Sequence, residues 1–110
     1  MELRTLIFET ASQYPEIGPL SETLKWGEPS YAPAKPKTGT AVRVAWKSRS
    51  PETINLYVNC QTSLIERWRT EFPKLLYVGN REVTLPLSED IPSEISACIC
   101  QALRYHLQGE

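Results

Sequence analysis

Hydrophobic positions recur at helical spacing towards both ends of the chain and alternate with polar ones in between. Over residues 2–14, Leu3, Leu6, Ile7, Thr10 and Tyr14 share one face at about 100° per residue, with Glu2, Thr5, Glu9 and Ser12 opposite, which predicts an amphipathic helix. Pro15 and the Gly18-Pro19 pair end it. Residues 20–33 read as two short extended segments bent around Gly27–Pro29, and residues 34–39 as a polar loop. The clearest strand is 40–47: Val42, Val44 and Trp46 alternate with Ala41, Arg43, Ala45 and Lys47. After a turn from Ser48 to Glu52, residues 53–59 repeat the pattern, with Ile54, Leu56 and Val58 on one side and Asn55, Tyr57 and Asn59 on the other. Ser63 with Glu66 forms a capping-box pair ahead of a short helix whose stripe is Leu64, Ile65, Trp68 and Phe72 and which Pro73 stops. Residues 75–79 and 82–87 predict a hairpin turning near Gly79-Asn80. Asp90 before Pro92 signals the start of a last helix, running to about Gln108, with Ile95, Cys98, Ile99, Ala102, Leu103 and His106 on its apolar face.

The predicted order is α-β-β-β-β-α-β-β-α. It lacks the regular strand–helix alternation of a parallel doubly wound sheet. The expected fold class is therefore α+β: an antiparallel sheet of about five to six strands, with the terminal helices packed on one face. The apolar side of each strand then meets the helices. The polar sides lie on the open face, with Arg43 and Lys47 on one strand and Asn55, Tyr57 and Asn59 on the next.

The 110 residues, 41% hydrophobic and 23% charged, are those of a folded chain forming one domain over residues 1–110. No apolar run approaches the ~20 residues of a membrane helix. No basic start with an apolar stretch marks a secretory signal, and three cysteines without framework spacing suit a reducing compartment, so a cytoplasmic location is expected. The formal net charge of −1 speaks against general nucleic-acid binding. That near-neutrality hides an asymmetry. Residues 1–28 carry five acids and two bases, residues 29–51 five bases and no acid, residues 52–82 four of each, and residues 83–110 four acids and one base. A basic centre of +5 thus stands between two ends of −3 each.

The run Leu24-Lys25-Trp26-Gly27-Glu28-Pro29-Ser30-Tyr31 resembles the Trp-Gly-x-Pro-x-Tyr signature of the YdhG-like family. Thr40 to Lys47, Ile54 to Cys60, Phe72-Pro73 and Ala102-Leu103-Arg104-Tyr105-His106 resemble later segments of that family in the same order. The resemblance implies a two-layer sandwich similar to frataxin. Because the family includes an intracellular iron chaperone, it also implies an iron-binding metallochaperone as one function. The acidic residues of the first helix that such a role would draw on are Glu2 and Glu9, with Glu16 beyond it. Glu2 and Glu9 lie seven residues apart, about 10 Å along the axis.

Other constellations read as structure. Cys98 and Cys100, two apart on a helix, point to nearly opposite sides and cannot chelate one ion. Cys98 reads as core, Cys100 as peripheral and Cys60 as partly exposed. His106 reads as a core or helix-end histidine, since no nucleophile motif accompanies it. No Gly-rich phosphate loop, metalloprotease helix or nucleophile elbow occurs, so no enzyme, metal site or cofactor is expected. The leading expectation is a binding module whose ligand sits on the open sheet face. The candidate ligand-binding residues are Trp26, Tyr31, Arg43, Lys47, Tyr57 and Arg81. Arginine forks and an aromatic hydroxyl suit a small anionic ligand or an acidic protein partner. A protein-interaction or homodimerisation domain pairing through a sheet edge or face is the remaining reading.

Overall fold

The computed structural model describes residues 2–25, 27–46, 51–59, 62–88 and 90–108. The first helix, α1 (Glu2–Ser12), buries Leu3, Ile7, Thr10 and Ala11, the stripe set by i, i+4 spacing. It ends before Tyr14, ahead of Pro15, with Gln13 and Tyr14 N–H groups donating three residues back to Thr10 and Ala11. Gly18, at φ +71°, then redirects the chain into β1 (Leu20–Lys25), and Gly27, at φ +78°, turns it back into β2 (Glu28–Pro33). β3 (Val42–Ala45) and β4 (Thr53–Tyr57) follow, then α2 (Leu64–Glu71). The hairpin of β5 (Leu76–Val78) and β6 (Glu82–Pro86) precedes α3 (Glu94–Leu103) and a closing 3-10 turn, Tyr105–Gln108. The fold is α+β, in the expected element order.

The six strands form one antiparallel sheet in the order β1-β2-β3-β4-β6-β5. Register decides which side chains face the helices. Tyr31 stands opposite Val42, Val44 opposite Leu56, and Leu56 opposite Val83. All five are buried and belong, with Ile7, Trp68, Ile95, Ile99 and Leu103, to one hydrophobic cluster between sheet and helices. The opposite parity supplies a row across the whole sheet: Thr23, Ser30, Arg43, Tyr57, Glu82 and Val78. No helix among the described residues is long and apolar enough to cross a membrane.

Several local expectations need correction. Trp46, expected on the apolar face, is 53% exposed. The strand ends at Ala45, and the indole N–H donates to the Pro51 carbonyl at 3.0 Å. Ser63 makes no side-chain cap; the Leu64 N–H faces the Thr62 hydroxyl at 3.5 Å, and the Ser63 N–H donates to the Tyr105 hydroxyl at 3.3 Å. A tertiary partner thus serves the helix end that a local one was expected to serve. The last helix starts at Glu94, after Ser93 rather than Asp90, and stops at Leu103. There the chain tightens into the 3-10 turn, the 3.6-residue period is lost, and His106 becomes exposed. Cys100, expected at the periphery, is buried beneath the α1–α3 contact, with an Arg104 Nη1 3.8 Å from its sulfur. Cys98 lies in the core as expected, and burial pushes its thiol up to about 12. Cys60 is outside the described residues.

The α1 layer is tied to the sheet edge by a forked pair. Arg4 Nε and Nη2 donate to the two Glu22 carboxylate oxygens at 2.8 and 2.9 Å. The Arg4 guanidinium first, and then the neighbouring Tyr31 hydroxyl, hold the Glu22 carboxyl down to about 2, from an ordinary 4.5. A depressed folded-state value means that this contact contributes fully above about pH 4.5 and is lost as pH falls through about 2. An NMR titration of the Glu22 side chain is expected to find its midpoint near 2, and to find it raised towards 4.5 in Arg4→Gln. An unshifted midpoint in the variant would mean that Arg4 is not the cause.

Candidate functional site

The row Ser30–Arg43–Tyr57–Glu82 places four polar side chains from four adjacent strands next to one another on the face away from the helices. Side chains directly opposite on an antiparallel ladder stand about 5 Å apart, so Arg43 and Tyr57 must interact. The guanidinium carbon lies 4.8 Å from the centre of the Tyr57 ring, and Arg43 Nε lies 2.9 Å from Glu28 Oε1. Arg43 is thereby held between an aromatic face and a carboxylate, with its side chain 22% exposed.

Around this pair the sheet face dips into a cavity of about 290 Å³. Lys25, Arg43 and Arg81 bring three cations to it; Ser30, Thr40, Tyr57 and Asn59 bring neutral hydrogen-bonding groups. Burial first, and then the Glu82 carboxylate, push the Tyr57 phenol above its ordinary value, so it stays a neutral donor throughout the physiological range. Glu82 itself is engaged: it accepts from the Asn55 amide and, at 2.9 Å, from the Thr84 hydroxyl. Ser30 and Tyr57 are buried although they face away from the helices; the long Arg43 side chain between them lies over the Tyr57 ring. Beyond Glu82, Val78 and Leu76 of the edge strand β5 are 55% and 58% exposed, giving the polar cavity an apolar flank.

The structure brings together three of the sequence-derived candidates, Arg43, Tyr57 and Arg81. Trp26 and Lys47 lie outside the described residues. Tyr31 is a correction. It faces the helices, is fully buried, and meets the Phe8 ring edge-on with centroids 5.6 Å apart. Its register opposite Val42 sends it to the core side, while its neighbour Ser30 faces the cavity. Lys25, Ser30, Thr40 and Asn59 complete the lining. Of these only Asn59 carried a sequence signal, as the polar member of an alternating pair. Lys25, Ser30 and Thr40 come from the outer strands and a loop whose partners are set by the fold.

Among the described residues no group of three or more His, Cys, Asp or Glu side chains could hold a metal ion. Glu16, which the metallochaperone reading would draw on, is paired with Arg104 at 3.0 Å. Comparisons with protein-family models, with curated proteins and with solved structures find no match for this chain.

Proposed function

We propose that this chain is a small, non-enzymatic binding module of the YdhG-like kind, working in the cytoplasm, whose ligand is an anion bearing a phosphate or carboxylate group held in the open-face cavity. One observation carries the reading: Lys25, Arg43 and Arg81 converge on a single concavity with the Tyr57 hydroxyl and three other neutral polar side chains. Cations in a recess are less screened than on a flat surface and can act together on one charged group. The Arg43 fork is oriented by Glu28 and Tyr57, so less side-chain freedom is lost on binding. A cavity of about 290 Å³ suits a small ligand or the charged tip of a larger one.

Titration calorimetry with inorganic phosphate and with a dicarboxylate tests this. The expected result is saturable binding by the native chain, weakened about ten-fold or more in Arg43→Ala, since a hydrogen bond to a charged group is worth ~1.5–3 kcal/mol. Arg43→Lys should recover only part of the loss, because an ammonium keeps the charge but not the planar fork. Equal affinities in the native chain and Arg43→Ala would remove the cavity as the site.

A further inference from the structure

A second concavity lies on the opposite, helical side of the molecule, between the middle of α1 and the start of α3 with the segment that leads into it. Its volume is about 560 Å³, within the ~300–1,000 Å³ typical of small-ligand sites. Leu6, Ile91 and Pro92, all half-buried, form an apolar floor, and the exposed side chains of Glu9 and Asp90 stand on its rim. The two carboxylates come from different elements, one from α1 and one from the chain just before α3.

No described cation neutralises this groove. The one base of α1, Arg4, is committed to Glu22 on the sheet edge. The one base of residues 83–110, Arg104, lies beyond the far end of α3 against Glu16. Among the described residues neither Glu9 nor Asp90 has an ion-pair partner. The start of α3 would by itself favour an anion, but Glu94 occupies its first turn and offsets that pull. The polar wall is already engaged, with the Ser96 hydroxyl donating to the Ser93 carbonyl at 3.0 Å. The acidic ends of the sequence therefore meet here over an apolar floor.

We propose that this groove is a separate binding site for an aliphatic diamine, with the methylene chain lying on Leu6, Ile91 and Pro92 and one ammonium near each of Glu9 and Asp90. An anion is repelled by the two rim carboxylates, and a neutral apolar ligand leaves both of them unused. A monoamine can satisfy only one. The site is independent of the anion cavity, which lies on the other face of the sheet.

The test is an NMR titration of the full chain with diaminobutane, butylamine and mono-acetylated diaminobutane at low ionic strength. Diaminobutane is expected to bind about five-fold tighter than either comparator, the scale of one exposed ion pair, with the largest shifts at Leu6, Ile91 and Ser96. Glu9→Gln and Asp90→Asn, each at an exposed position, should bring diaminobutane down to the butylamine level. Equal affinity for the three ligands, shifts centred away from the groove, or an unchanged diaminobutane affinity in both variants would overturn the proposal. The acetylated ligand makes the same comparison in the native chain, so the outcome does not depend on how either variant folds.

Discussion

Truncation of Trp68 to alanine is expected to lower the stability of the fold by about 3–5 kcal/mol. For a chain of this size that is a fall of about 12 °C or more in Tm. Trp68 has no exposed surface and is the largest of the fully buried side chains. It stands where α2 meets α3, and its indole N–H donates to Gln101 Oε1 of α3 at 2.8 Å. Alanine removes the ring, leaves a cavity, and strands a half-buried amide oxygen. Trp68→Phe separates these effects. It keeps most of the volume and loses the hydrogen bond, so it is expected to cost about 1–2 kcal/mol. Paired chemical-denaturation curves measure both. If the two variants lose the same stability, the hydrogen bond and not the packing holds α2 in place.

Gly39→Ala is expected to cost about 3 kcal/mol, although Gly39 lies in a loop that the sequence marks only as polar. A methyl group there would fall inside the van der Waals radii of the Leu103 carbonyl carbon and oxygen, and 2.7 Å from the Ala102 oxygen. The loop lies flat on the end of α3 because that end needs it. The Thr40 N–H donates to the Ala102 carbonyl at 2.9 Å, and the Thr38 carbonyl accepts from His106 at 3.1 Å. These bonds satisfy backbone groups that the helix leaves open. Displacing the loop would also move Thr40, which lines the open-face cavity, so under the function proposed above Gly39→Ala weakens phosphate binding as well. Gly79→Ala is the control: its φ is +62°, but open space surrounds it, so only the backbone strain of about 1–2 kcal/mol applies. Equal losses at the two positions would mean that the close approach at Gly39 relaxes freely.

The two proposed sites differ in charge and lie on opposite faces. Arg43, from the basic central segment, lies in a cavity on the open sheet, and Glu9 and Asp90, from the acidic ends, rim a groove between helices. Neither grouping is contiguous in sequence. The open-face cavity draws on β1, β2, β3 and β4, on the segments flanking β3 and β4, and on Arg81 just ahead of β6. Arg43 and Tyr57 could be placed together from alternation alone, because two consecutive strands that turn their polar sets to the same face pair as neighbours. Tyr31 could not. Its strand holds Pro29 and Pro33 and no alternating apolar set, so its face depends on register against β3 across the long 34–41 connection.

Residue pattern alone determined the element order, the antiparallel α+β class, the apolar sides of β3 and β4, and the Arg43–Tyr57 neighbourhood, because periods of 2 and 3.6 are local properties of a chain. The tertiary structure alone decided the rest. It sent Tyr31 inward and Ser30 outward, exposed Trp46 just past the end of β3, buried Cys100 under α1, and stopped α3 at Leu103 through the Gly39 loop. Each of these depends on a partner distant in sequence, and no local period encodes which partner arrives.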